Sequence, residues 1–215
     1  MEERNQKVQS YFHLTAKQFD TLYNESNFFL KLFNKFFRSA IFQRSEKAIN
    51  ECLKSEAQSI LDVGCGSGVN SVIFAQSGVP KVVGLDYAGN MLDLARGRIP
   101  QEFKDTIEYV DSDFMLWDSE SKFDCVVALG VFDYLDQPRE FAKKMMRHAE
   151  KKVMFSVPGK DFARMYLRKW RYQLRGCPLY FYSKEELVPL CRFPDSNAEF
   201  LPIGSSGFLC VIEKK

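Results

Sequence analysis

Read for the spacing of its apolar positions, the chain changes character twice. From Tyr11 to about Leu53 it has no glycine and no proline, and apolar residues recur at three- and four-residue intervals, as in Phe29, Phe33, Phe36 and Ala40, a spacing that predicts helix. Between Ser59 and Val157, β-branched apolar runs alternate with amphipathic stretches, the pattern of a mostly parallel sheet with helices on both faces. Strands are expected at Ser59–Val63, Lys81–Leu85, Thr106–Val110, Phe123–Leu129 and Lys152–Val157, each followed by turn chemistry or a cap. Helices are expected between them at Ser67–Gln76, Gly89–Arg98 and Gln137–Ala149. Beyond Val157 come a basic helical stretch to Arg175, a short helix near Ser183–Leu190, and two late strands, Glu199–Pro202 and Gly207–Ile212, that suit a terminal hairpin.

Composition narrows the picture to one α/β domain. At 215 residues and 46% hydrophobic content the chain can bury one core, and no repeat, low-complexity tract or linker argues for a second unit. We divide it into a helical N-terminal cap (1–55), a core (56–158) and a C-terminal segment of helices and final strands (159–215). With 30 basic and 28 acidic residues the formal charge is +2, so no global field favours nucleic acid. The cysteines, Cys52, Cys65, Cys125, Cys177, Cys191 and Cys210, form no C-x-x-C pair, and two histidines cannot complete a zinc site, so no metal is expected. Scattered thiols, a polar start and the lack of a long apolar run point to the cytoplasm.

The candidate chemistry begins where the first strand ends. Asp62-Val63-Gly64-Cys65-Gly66-Ser67-Gly68 places glycines where the backbone must turn sharply and approach a ligand closely, with the next helix directing free N–H groups at the same spot. Dinucleotides are one occupant of such a turn, but their fingerprint is G-x-G-x-x-G, whereas this spacing is G-x-G-x-G with Asp62 inside the strand. Asp86 ends the second strand where a carboxylate accepts ribose hydroxyls. After the third strand, Asp111-Ser112-Asp113-Phe114 offers a carboxylate for an adenine amino group and a ring to pack on the base. Taken singly, each residue also has a bland reading as a steric glycine or a solvated cap.

Together these residues resemble the class I S-adenosylmethionine-dependent methyltransferases, over roughly Ser59 to Pro158. The resemblance implies a Rossmann-like seven-stranded, mostly parallel sheet with an antiparallel last strand, and S-adenosylmethionine as cofactor. It also implies that Gly64, Cys65, Gly66 and Gly68 line the methionine and ribose portion, that Asp86 holds the ribose and Asp113 the adenine amine, that Tyr87 and Met91 flank the adenosine, and that Leu129-Gly130-Val131 close the site.

Methyl transfer from a sulfonium is an in-line displacement, so alignment and exclusion of water carry much of the catalysis, and a base is needed only where the acceptor must lose a proton. Val131 to Pro138 follows the fourth strand at the acceptor side. Many quinone-type O-methyltransferases of this family carry a histidine where Tyr134 stands, which leaves Asp133 and Tyr134 as candidates for orienting or deprotonating the acceptor, against a capping Asp and a packed Tyr. His13 belongs to the N-terminal segment that often covers the cofactor in this family, and is the remaining candidate; His148 ends a helix on the far side of the sheet and is discounted. The Asn/Asp-Pro-Pro-aromatic motif of amine methyltransferases is absent after the fourth strand.

Two segments bear on the acceptor. Asn27–Phe42 is rich in phenylalanine, with only positive charges among them, and suits a roof over an apolar site, an anionic membrane surface or an ordinary packed cap. Arg164, Arg168, Arg171 and Arg175 share one helical stripe that suits an anionic acceptor, a phospholipid surface, an RNA backbone, the least favoured of these, or plain solvation. The expected activity is methylation of a small apolar or anionic molecule at oxygen. Its rivals are a nicotinamide-dependent oxidoreductase and a non-catalytic relative that binds the cofactor while serving as an interaction or membrane-surface module.

Overall fold

The computed structural model describes residues 42–158, 179–204 and 207–215. Seven strands form one sheet: β1 (Ser59–Val63), β2 (Lys81–Asp86), β3 (Ile107–Asp111), β4 (Phe123–Ala128), β5 (Ala149–Pro158), β6 (Ser196–Ile203) and β7 (Gly207–Lys214), in the spatial order β3-β2-β1-β4-β5-β7-β6. The first five run parallel, and β7 is antiparallel to both its neighbours, so the two late strands form the expected hairpin with its second strand inserted beside β5. Helices are α1 (42–54), α2 (Val69–Gln76), α3 (Gly89–Arg98), α4 (Pro138–His148) and α5 (Lys184–Cys191). None of the described helices is long and apolar enough to cross a membrane.

Strand alternation sorts the core into two layers. Leu61, Val63, Val83, Leu85, Val126 and Ala128 face α4 and α5, whereas Ile60, Val82, Cys125 and Val127 face α1 and α2. Both faces are therefore dry, which is why the strands read as continuous apolar runs. Chain order moves outward from β1 through β2 to β3, then returns to β4 on the other side. The carboxyl ends of β1 and β4 thus bound the crevice where connections diverge, the place where open α/β sheets bind ligands.

Local chemistry sets the element ends, and several differ from expectation. Helix α2 begins at Val69 rather than Ser67, because Gly68 takes a left-handed conformation (φ 73°) at its N-cap. Helix α4 starts at Pro138, which fits the first helical position since its missing N–H would have no partner there. Helix α5 opens on a capping box in which Ser183 and Glu186 satisfy each other's backbone N–H groups. Strand β5 runs longer than its apolar stretch because Lys152 lies within the ladder, its ammonium 2.9 Å from Glu51 of α1 and 3.7 Å from Glu213 of β7. The expected helical region before residue 42 and the basic stretch to Arg175 lie outside the described residues.

The Lys152–Glu51 pair is shielded from water, with both side chains under a tenth exposed. Burial pushes the Glu51 pKa up, but hydrogen bonds from Lys54 and Lys152 outweigh it, so the group titrates below its ordinary value. Its contribution is present at neutral pH and is lost as acid protonates it. Lys152→Met is expected to lower unfolding free energy by about 2 kcal/mol, because it leaves the buried Glu51 carboxylate with only the exposed Lys54 as cationic partner, and adding Glu51→Leu is expected to recover most of that. Urea denaturation at pH 7 measures both; equal losses in the single and double variants would show that the pair does not anchor α1.

Candidate active site

The turn after β1 is held from three sides before any ligand is considered. The amides of Gly64 and Cys65 donate to the Leu85 carbonyl at 2.7 and 3.2 Å, tying the turn to β2. Arg98, in the last turn of α3, donates to the Ser67 carbonyl and hydroxyl at 2.8 and 3.0 Å. The Asp86 carboxylate accepts from the Gly66 amide at 2.8 Å and from the Ala88 amide at 2.9 Å. Asp86 is therefore part of the turn's own scaffold as well as a carboxylate at the mouth of the crevice. Burial pushes its pKa up, and the amides of Ala88, Gly66 and Tyr87 pull the other way without cancelling it.

The glycines do different jobs. A side chain on Gly64 would meet Val131 at 2.5 Å, so Gly64 lets the loop after β4 close onto the turn. Gly66 (φ 54°) opens onto empty space, leaving its backbone bare toward the crevice. That bare stretch lies beside Asp86, and it is where a ligand can approach the main chain.

Asp62 is 1% exposed, and its carboxylate accepts from the Ser71 hydroxyl of α2 at 2.7 Å. Burial raises its pKa to about 6; the charge of Asp86 adds to the rise, while the Ser71 bond and the Arg44 guanidinium oppose it. Arg44 projects from α1 over Gly130, where an added Cβ would lie 2.8 Å from its Nη1. Its Nε is buried with no hydrogen-bond partner among the described residues. The half-buried Arg44 with its buried Nε, two buried carboxylates and a bare backbone thus converge on the ends of β1, β2 and β4. Such a set fits a ligand carrying charges of both signs, as the amino-acid portion and sulfonium of the implied cofactor do.

Of the remaining sequence candidates, Tyr87 and Met91 lie together at the start of α3, packed with Ala88 and Leu94, with Met91 buried and Tyr87 half-buried. Leu129 is buried and Gly130 takes φ 83°, its amide donating to the Ser156 hydroxyl at 2.8 Å. Cys65 is buried, and desolvation pushes its thiol well above the ordinary range, so it acts as a small neutral filler rather than a nucleophile. Asp113 lies at the expected strand end, but one carboxylate oxygen accepts from the Met115 amide at 2.8 Å and caps its own turn. Phe114 corrects the sequence reading: its ring is 3% exposed and packs on Phe141, Trp117 and His148 in the core facing α4, not against a base. Aromatic packing on α4 wins because the ring falls on the face that α4 covers.

On the acceptor side, Asp133 and Tyr134 form a 3-10 turn, Phe132–Tyr134, in which Asp133 is 5% exposed. The segment before α5 is laid over it: the Tyr180 amide donates to the Asp133 carbonyl at 2.7 Å, and the Tyr182 hydroxyl lies 3.5 Å from the carbonyls of Phe132 and Leu135. Burial and the Asp133 charge push the Tyr182 hydroxyl up, so it stays protonated. His148 is buried, its Nδ1 3.0 Å from the Ser121 carbonyl and its ring against Trp117. His13, the aromatic residues before Phe42 and the arginine stripe lie outside the described residues. No group of His, Cys, Asp and Glu among the described residues could hold a metal ion.

Two functional candidates were missed in the sequence although signals existed. Arg44 shares a helical stripe with Ala48 and Cys52, both buried, so a charge stands in line with the core face of α1. Gly84 interrupts the apolar run of β2, the mark of a close approach by another group, here the ring of Tyr109.

The chain is similar to known proteins in sequence and in fold. A family model described as a methyltransferase domain matches residues 35–192. The mitochondrial ubiquinone biosynthesis O-methyltransferase of Dictyostelium discoideum is 30% identical over 99 residues, covering 41% of this chain and 31% of that protein. Demethylmenaquinone methyltransferase of Lactococcus lactis is 36% identical over 74 residues, 34% of this chain and 29% of that protein. The matched segment thus spans about a third of the length of these curated relatives. A crystal structure of magnesium protoporphyrin IX methyltransferase from Synechocystis PCC 6803 with bound S-adenosylmethionine shares the fold at a TM-score of 0.75 and 16% identity, over 97% of this chain and 95% of that one. With the family model covering well over half its length, and with the sheet order and reversed last strand expected of class I methyltransferases, the chain belongs to the methyltransferase domain family.

Proposed function

We propose that this protein transfers a methyl group from S-adenosylmethionine to a small molecule, most readily at oxygen. The observation that carries this reading is the glycine turn itself: Asp86 accepts from the amide of Gly66, whose Cβ side is bare, with the buried Asp62 two residues before Gly64 and the Arg44 charge acting on Asp62. When bound, S-adenosylmethionine supplies a methyl group made electrophilic by its sulfonium. Arg44 supplies a cation for the amino-acid carboxylate, and Asp62 a negative field for the positive centres. Asp86 accepts from ribose hydroxyls with the lone pairs its backbone donors leave open, and Tyr87 and Met91 provide apolar cover for the adenosine. Two buried carboxylates at the glycine turn would repel a pyrophosphate, which argues against the nicotinamide reading.

For the acceptor, the names of the similar proteins support a flat, oxygen-bearing organic molecule. Asp133 is the group we assign to orienting or deprotonating an acceptor hydroxyl, with Tyr134 beside it on the same turn. Tyr182 serves as a neutral wall rather than a base, since its hydroxyl titrates far above neutrality. The aromatic stretch before Phe42 and the arginine stripe suit contact with an apolar or anionic acceptor, or with a lipid surface that holds one.

Calorimetric titration with S-adenosylhomocysteine tests the cofactor assignment. Asp86→Ala and Arg44→Ala are each expected to weaken binding by about ten- to a hundredfold, the worth of a charge-assisted hydrogen bond; tight NAD binding in place of the sulfur compound would overturn the reading. Because Asp62 titrates near 6 without ligand and a bound cation favours its charged form, affinity is expected to fall as pH drops through about 6. A proton should be released on binding near that pH, measured as a difference in apparent heat between buffers of unlike ionisation enthalpy. Transfer of labelled methyl to a panel of phenols, quinols and carboxylic acids tests the chemistry, and Asp133→Asn is expected to lower kcat on a hydroxyl acceptor by roughly a hundredfold. Cofactor binding with no transfer to any acceptor, and liposome binding that survives Asp86→Ala, would favour the non-catalytic reading.

A further inference from the structure

The connection from β3 to β4, residues 112–122, holds a turn and no helix, so its backbone groups must find partners elsewhere. It starts against the cofactor site, with the Ser112 amide donating to the Asp86 carbonyl at 3.0 Å. The next residue, Asp113, gathers the turn around itself. Its carbonyl accepts from the amides of Leu116 and Trp117 at 3.0 and 2.8 Å, and its Oδ1 accepts from the Met115 amide at 2.8 Å. Two carbonyls of the same turn are taken by one side chain from another element. Lys144 of α4 donates to the Met115 carbonyl at 3.0 Å and to the Trp117 carbonyl at 2.7 Å, with its ammonium 5.4 Å from the centre of the Phe114 ring. One turn further along α4, His148 meets the connection again at the Ser121 carbonyl, 3.0 Å from its Nδ1.

We propose that Lys144 is a positioning residue for the adenine end of the cofactor, acting through the turn that presents Asp113. The inference rests on the cofactor reading above and on Asp113 as the group that meets the adenine amine. With Oδ1 held by the Met115 amide, the second carboxylate oxygen is the one left for that amine, and its place follows from the shape of the turn. Packing alone does not fix that shape. The Phe114 ring is buried and Trp117 packs beside it, but between them Met115 and Leu116 are exposed, Leu116 by 81%. The span between the two rings is therefore held by polar ties, and Lys144 bridges it from residue 115 to residue 117. An ammonium suits the task because it carries three donors, enough for both carbonyls, and its charge strengthens each bond as well as its attraction to the Phe114 ring.

The test is Lys144→Met, which keeps an unbranched apolar chain and removes the ammonium. Calorimetry compares S-adenosylhomocysteine with S-inosylhomocysteine, in which a carbonyl oxygen replaces the adenine amine. The wild-type protein is expected to prefer the adenine compound by about tenfold to a hundredfold, the worth of a hydrogen bond to a carboxylate. Lys144→Met is expected to cut that preference about fivefold, and Lys144→Arg, which keeps the charge and the donors, to hold it within about twofold of wild type. Asp113→Ala is expected to abolish the preference, and adding Lys144→Met to that variant should change it no further, because the two residues act in series. General destabilisation weakens both compounds alike and leaves the ratio where it was, so the ratio isolates positioning; should Lys144→Met fail to fold, Lys144→Gln is read in the same way. An unchanged preference in the Lys144 variant, beside a lost one in Asp113→Ala, overturns the proposal and leaves the cofactor assignment intact. A preference that survives Asp113→Ala removes Asp113 from the adenine and Lys144 from its role. Failure of the wild-type protein to bind the adenine compound overturns the cofactor assignment, and the role of Lys144 falls with it.

Discussion

Asp62 carries a carboxylate to a place that water does not reach, and the crevice is built around the cost of keeping it there. An unpaired charge in such surroundings is disfavoured strongly enough to neutralise itself, so its pKa rises to about 6 rather than remaining in the usual carboxylate range. Two partners limit the rise: the Ser71 hydroxyl on α2 and the guanidinium of Arg44 on α1. Each comes from a different element. The packing of α1 and α2 on the sheet is therefore a condition for the site as much as a consequence of burial.

The same constraint accounts for the anchoring of α1. That helix must hold Arg44 against Gly130 while its own face is apolar, and it does so with Ala48 and Cys52 in the core, Ser45 donating to Asn70 of α2 at 2.7 Å, and Glu51 paired with Lys152 at its far end. A buried ion pair at one end of the helix and a half-buried, partly unsatisfied cation at the other are an unusual expense for a short element. The pair fixes direction and register, which a purely hydrophobic face would leave freer to slide. Position along the axis matters here because the guanidinium sits directly over the bare backbone of Gly130.

Much of this was legible in the sequence because the sheet obeys simple rules. Runs such as Ser59–Val63 and Lys81–Asp86 are apolar on both faces, and the G-x-G-x-G turn with Asp86 downstream locates the crevice without any tertiary information. What sequence patterning missed depends on which side of the sheet a residue faces. Phe114 follows a strand end by three residues, and nothing in Asp-Phe says whether the ring turns toward a ligand or toward α4. Arg44 and Gly84 left a trace in the sequence, a charge in line with the core face of α1 and a glycine inside an apolar strand, but what each one meets is fixed only when the helix stripe and the row across three strands are assembled in space.

Charge balance is what separates the two ligand classes that a glycine turn can serve. A dinucleotide site presents helix-terminal amides to a pyrophosphate, and acidic residues stay at the ribose. Here α2 starts only after the left-handed Gly68, and a carboxylate lies one strand residue before the turn, with a second accepting from the Gly66 amide that would otherwise be offered to a phosphate. An anionic ligand would meet repulsion at the point of closest approach, whereas a ligand with a positive centre and a separate carboxylate would satisfy Asp62 and Arg44 together. The departure from the dinucleotide spacing is thus more than a matter of loop length. It moves an amide out of reach and brings a buried negative charge in, and both changes act in the same direction.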